Sequence, residues 1–169
     1  MTLMWRKFTI LLIVLGLGLA LDLMTKIMVL RLMPLGSRIP IADGFLNLVH
    51  VHNKGAAFSL LTGLSAGFTR PFFISITGLV LGVVGYLWWR LPPGCWQAAL
   101  GYSLIMAGAA GNLLDRIRLG EVVDFLDFYW GHYHWPAFNV ADSLVCLGAA
   151  ILVWTILTGE KTGNASNPV

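Results

Sequence analysis

The sequence predicts a membrane all-α fold: a four-transmembrane-helix bundle with a small β-sheet cradle and a mobile loop at one face. Three observations carry this. Hydrophobic residues make up 57% of the 169 and charged residues only 11%, whereas an ordinary globular domain is about a quarter charged. Four apolar stretches approach the roughly 20 residues that a helix needs to cross a bilayer. The acidic residues inside or beside those stretches fall towards matching ends. So little charge cannot cover a water-facing surface, so lipid must solvate much of the chain, read as a single domain over 1–169.

The spans are placed at about 8–30, 71–89, 95–114 and 137–158. The second lies between Arg70 and Arg90 and holds no charge, and the third runs uncharged from Cys95 to Leu114. The first is less regular. Its apolar core from Phe8 is interrupted by Asp22, and with Arg6-Lys7 ahead of it could be a secretory signal peptide. Against that, apolar character resumes at Leu23, and Asp22 with Lys26 forms an i, i+4 pair in the favourable order, which carries one helix through both. Arg90 to Gly94 is a tight turn between antiparallel neighbours. The segments 31–70 and 116–136 are long enough to be structured or functional. Within the former, Leu46 to His52 alternates after an Asp43-Gly44 turn and predicts a small sheet. Ser59 to Phe68 is too short to span and is expected in the interface. Residues 160–169 read as a polar, disordered tail.

Consecutive spans alternate in direction. Segments 31–70 and 116–136 therefore share the side opposite the N-terminus. Asp22, Asp115, Asp124 and Asp142 then lie at one face, whichever way the chain is inserted. Orientation is less direct. The far side carries seven Lys and Arg against four on the N-terminal side, offset by seven acids. Arg6-Lys7 flanks the first helix, which usually dominates, and this favours the N-terminus inside. Trp5, Trp88, Trp89, Trp96 and Trp154 fall near one interface, and Trp130 and Trp135 near the other, as in aromatic belts.

A net charge of +3 with no basic stripe excludes a nucleic-acid footprint. Cys95 and Cys146 sit in separate apolar regions and make no disulfide framework. His50-Val-His52 and His132-Tyr-His134 have chelate spacing on a strand, but no zinc motif supports them, so no metal is expected. No nucleophile elbow or Walker sequence is present. Ionisable groups at a span are costly and mark functional candidates. In Gly120 to Phe128, Asp124 and Asp127 sit among Val, Phe and Leu, where a carboxyl is poorly solvated and holds its proton. Asp142 opens the last span within Phe138-Asn-Val-Ala-Asp-Ser143, where the alternative is a helix-start acid. Asp22 with Lys26 suits a structural ion pair, and Asn112, Asp115 and Arg116 suit positioning. Two carboxyls meeting beside an apolar wall can divide acid and base roles and activate water without a metal.

Five segments occur in one register: Asp22-Leu-Met-Thr-Lys26, Asn53-Lys-Gly-Ala-Ala-Phe58, Ala107-Gly-Ala-Ala-Gly-Asn-Leu-Leu-Asp-Arg116, Gly120 to Phe128, and Phe138 to Ser143. Together they resemble lipoprotein signal peptidase, the type II signal peptidase of bacteria. One small departure is Ala107-Gly108, where the family often has paired glycines. The resemblance implies an aspartic endopeptidase that cuts a prolipoprotein before its diacylglyceryl-modified cysteine, with Asp124 and Asp142 as the catalytic dyad and no cofactor. It implies that Asn53, Gly55, Gly108, Asn112, Arg116 and Asn139 line or support the site, and that Asp22, Lys26 and Asp115 support the fold, with Asp115 read at the site wall. It also implies a monomer in the bacterial inner membrane, with cytoplasmic termini and the sheet and site outside the cytoplasm. The partners would be membrane lipid and prolipoproteins. The aromatic stretch Phe125 to Trp135 would form a mobile flap over the dyad. The rivals are a transporter or channel, which would need midplane charges and paired broken helices, and an assembly protein packed through Gly78-x-x-x-Gly82.

Overall fold

A computed structural model describes residues 3–55 and 66–159. The expected interfacial segment at Ser59 to Phe68 falls mostly outside the described residues, and the polar tail 160–169 falls wholly outside them. Four helices and four strands follow in the order α1 (Leu3–Leu32), β1 (Arg38–Ala42), β2 (Leu46–Asn53), α2 (Ala66–Arg90), α3 (Trp96–Arg118), β3 (Val122–Trp130), β4 (Tyr133–His134) and α4 (Val140–Leu157).

Three of the helices are long and apolar enough to cross a membrane: Trp5–Leu32, Gly67–Arg90 and Val140–Leu157. Their outward residues are apolar, among them Leu12, Leu17, Met24, Leu79 and Ile156. α1 runs unbroken through Asp22 and Lys26. α3 is different. It is the inner helix, packed against α1, α2 and α4, and its buried positions are small or polar: Ala98, Ala99, Gly101, Ser103, Ala107, Gly108, Gly111 and Asn112. Without large side chains the backbones approach closely, the way helices associate where no hydrophobic force separates protein from lipid. A Cβ on Gly108 would overlap the carbonyl oxygen of Ala141 in α4, and one on Gly148 would overlap the carbonyl oxygen of Gly101.

The sequence placed the second span from Pro71, but α2 begins five residues earlier, at Ala66. Its first turns lie outside the apolar stretch, where Arg70 donates to the carbonyl of Ile117 at the end of α3. Trp88 also departs from the belt reading. It is buried, edge-on to Phe8, with the Lys7 ammonium 4.9 Å from its ring centre.

The strands form one antiparallel sheet in the order β1-β2-β3-β4. Segment 31–70 contributes the expected hairpin, with Gly44 at φ 77° in its turn. The larger departure is at 116–136, read as a loop. Nine of its residues are β3, paired along β2 with Asn47 opposite Asp127 and Val51 opposite Asp124. The flap reading of Phe125 to Trp135 narrows accordingly: Phe125 is buried with Val123 against Val29 and Met33 of α1, and the exposed aromatics are Trp130, Tyr133 and Trp135 at the hairpin end. The alternation signal fails here because β3 is buried on both faces along its first half.

Candidate active site

Four elements bring carboxyls and amides to one place. β3 carries Asp124, which is 2% exposed. The end of β2 brings Asn53, whose side-chain NH2 donates to Asp124 Oδ2 at 2.9 Å. Gly55 follows at φ 101°, donating its backbone NH to Asn53 Oδ1 at 2.8 Å. That bond settles which end of the Asn53 amide faces Asp124. A Cβ on Gly55 would overlap the Phe73 ring of α2, and that ring lies 5.2 Å from the Arg116 guanidinium.

Asn139 caps α4. Its side-chain oxygen accepts the backbone NH of Asp142 at 2.9 Å, and its own backbone NH donates to Asp142 Oδ2 at 3.2 Å. This is a capping box with Asp142 at its third helical position. The remaining end of the amide points inward and donates to Asp124 Oδ1 at 2.8 Å. Asn112 of α3 donates to Asp142 Oδ1 at 2.7 Å. Every oxygen of the two carboxyls thus accepts at least one hydrogen bond, and Asn139 touches both groups. Burial and the neighbouring Asp142 charge raise the Asp124 carboxyl, against the Asn53 and Asn139 amides and the Lys26 charge that lower it, to about 7.

Lys26 lies beneath this layer, 1% exposed. It pairs with Asp22 at 2.8 Å and with Asp115 at 2.9 Å, and donates to Asn112 Oδ1 at 3.1 Å. Asp22 Oδ1 also accepts the backbone NH of Ala141 at 2.9 Å, so α1 holds the first turn of α4. Asp115 accepts from the backbone NH of Val123 at 3.3 Å. It is buried below the cleft, tying α3 to β3, and not on the site wall where the sequence placed it. Gly108 supports the site by contact of α3 with Ala141 next to Asp142.

A cleft of about 290 Å³ opens between α2, α3 and α4. Asn112, Arg116 and Asp142 form its polar part, and Ile76, Val80 and Val145 supply apolar wall. Among the described residues, no group of three or more His, Cys, Asp or Glu is placed to hold a metal ion. His50 and His52 instead face each other at 3.1 Å. Asp127 turns away from the dyad, bonded to Asn47 and His134 at 2.8 Å each.

The sequence profile of the signal peptidase (SPase) II family matches residues 13–158. The chain belongs to the signal peptidase II family. It is therefore a peptidase of a bacterial membrane family, a result that leaves the transporter and assembly readings without support. Relatives named lipoprotein signal peptidase include one from Geobacter sulfurreducens, 46% identical over 149 residues, covering 88% of this chain and 91% of the relative. Another, from Vibrio cholerae, is 45% identical over 143 residues, covering 83% and 82%. A bacterial membrane enzyme solved by the in meso method at 2.3 Å resolution superposes with a TM-score of 0.79 at 30% identity, covering 94% of this chain and 93% of that one.

Sequence reasoning missed two contributors to this signal peptidase II site. Phe73, against Gly55 and Arg116, sits in an apolar span whose pattern gives it no distinction. Ala141 is fully buried between Asp22 and Gly108; only its place beside Asp142 hinted at a role.

Proposed function

We propose that this peptidase removes the signal peptide of prolipoproteins, cutting before a diacylglyceryl-modified cysteine with water activated between Asp124 and Asp142. The observation that carries this reading is the shared amide of Asn139, which fixes one buried carboxyl beside a second at the end of a membrane-facing cleft. Asp124, with its raised value, holds the proton near neutral pH. Asp142 as carboxylate takes a proton from water while Asp124 gives one to the scissile carbonyl oxygen. The tetrahedral intermediate collapses as the C–N bond breaks: one of its hydroxyls returns a proton to Asp124 as the carbonyl re-forms, and the leaving amine receives the proton from Asp142.

The apolar cleft wall suits a lipid-linked substrate arriving sideways from the bilayer. We place α3 as a fourth span, since 23 residues reach about 35 Å at 1.5 Å per residue. We place the sheet and dyad on the outer side of the bacterial inner membrane with both termini cytoplasmic, supported by Arg6-Lys7 ahead of the first helix. The chain acts as a monomer.

Purified protein is incubated with a diacylglyceryl-modified prolipoprotein, alongside Asp124→Asn and Asp142→Asn. Cleavage is expected only in the parent, and unchanged by a chelator. Retained cleavage in either variant sinks the dyad; loss on chelation sinks the metal-free mechanism.

A further inference from the structure

Lys26 does more than neutralise buried acids: we propose that it is a positioning residue for Asp142, acting through the orientation of the Asn112 amide. The inference rests on the dyad reading above. An ammonium has three donors and no acceptor. In this site it is ion-paired with Asp22 Oδ2 at 2.8 Å and Asp115 Oδ2 at 2.9 Å, and it donates a hydrogen bond to Asn112 Oδ1 at 3.1 Å. Because an ammonium N–H can only meet an acceptor, Asn112 must turn its carbonyl to Lys26 and its NH2 to Asp142. The Asn139 amide also donates to the same oxygen, at 3.2 Å.

A flipped Asn112 would set its NH2 against the ammonium and its oxygen 2.7 Å from Asp142 Oδ1, acceptor against acceptor. Lys26 excludes that state, so the Asn112 N–H stays on Asp142 Oδ1. The order of contact is Asp22 and Asp115, then Lys26, then Asn112, then Asp142. α1 therefore reaches the proposed chemistry through one amide.

Other groups act on Asp142 as well. From β3 the Asp124 carboxyl and from α3 the Arg116 guanidinium act on it electrostatically, and Lys26 of α1 reaches it through Asn112. Removing Lys26 also removes a positive charge that acts on Asp124, so charge and donor must be separated.

The experiment uses full-length protein carrying Asp22→Asn, which keeps an acceptor for Ala141 and relieves one acid, with Lys26→Met or Lys26→Gln added. Both remove the charge, but only Gln retains an N–H donor. The pH dependence of kcat/KM for prolipoprotein cleavage is measured for all three, with melting temperatures. With Met, the acid limb moves up by about one pH unit and cleavage below it falls about ten-fold, with KM changed less than about two-fold. With Gln, the acid limb stays with Asp22→Asn. Equal acid limbs in Met and Asp22→Asn overturn the proposal, as do equal displacements in Met and Gln or losses that only track melting temperature. If the Met variant does not fold, Asn112→Asp replaces it: this keeps a partner for Lys26 but offers Asp142 only oxygens. The acid limb must then move up, and an unmoved limb overturns the proposal. Asp142→Asn is assayed in parallel. Cleavage retained there sinks the dyad reading; cleavage lost there with unmoved limbs elsewhere sinks this inference alone.

Discussion

Asn139 and Asp142 bind each other twice, side-chain oxygen to backbone NH at 2.9 Å and backbone NH to carboxylate at 3.2 Å. A helix cap thereby fixes the rotamer of the proposed catalytic base. The amide left over reaches Asp124 at 2.8 Å, so the start of α4 sets the spacing of the dyad.

Asn139→Ala removes the cap and the bond to Asp124 together. Cleavage is expected to fall by about 100-fold or more, since small misplacements of reacting groups cost that much. Stability falls by about 1 kcal/mol from the lost cap. Asn139→Asp keeps a capping oxygen but sets a third buried carboxyl against Asp124, so it should remain inactive and melt below the parent despite the retained cap. An active Asn139→Asp variant would contradict this account of the spacing.

The raised Asp124 carboxyl predicts loss of cleavage as pH rises through about 7, because the proposed acid then lacks its proton. Stability shares the sign. A buried acid with a folded value above its ordinary 3.8 contributes stability that is full below 3.8 and is lost as pH rises through 7. By linkage the ceiling is about 4 kcal/mol. Asp124→Asn lacks this titration, so its melting temperature relative to the parent should climb between pH 5 and pH 8. A flat difference would contradict the assignment.

Gly108→Ala places a methyl against the Ala141 carbonyl and the Val145 side chain. Overpacking of this kind costs about 1–3 kcal/mol. Because Ala141 precedes Asp142, cleavage should fall more steeply than thermal stability. Gly78→Ala on the outward face of α2, where a Cβ meets nothing within 4 Å, should change neither. Equal effects of the two substitutions would rule out the packing argument.

Asp127 tethers the hairpin. Burial raises its carboxyl, but bonds from His134 and Asn47 and the charges of His134 and Arg38 outweigh this and leave it below the ordinary range. Its contribution is therefore present above pH 3.8 and lost as pH falls through the depressed value. Asp127→Asn should speed hydrogen exchange at residues 130–135 by several-fold to about ten-fold at neutral pH, through loss of a charged hydrogen bond. Unchanged exchange there would show that the hairpin is held some other way.

Composition and span order alone determined a good deal. Apolar stretches between charges required membrane helices, and alternation of direction required Asp22, Asp115, Asp124 and Asp142 to share a face. Their linkage through Lys26, Asn112 and Asn139 follows that expectation. Both inferences need only distance along the chain. Tertiary structure decided what lies across it. β3 is buried on both faces along its first half, so no period marked it as a strand until β2 and α1 supplied its neighbours. Asp115 moved from wall to foundation because its partners, Lys26 and the Val123 backbone, come from other elements. The four aspartates share one type of side chain. Their burial and the donors that face them distinguish one from another, and donors such as Asn53, Asn112 and the Ala141 backbone come from elements distant in sequence.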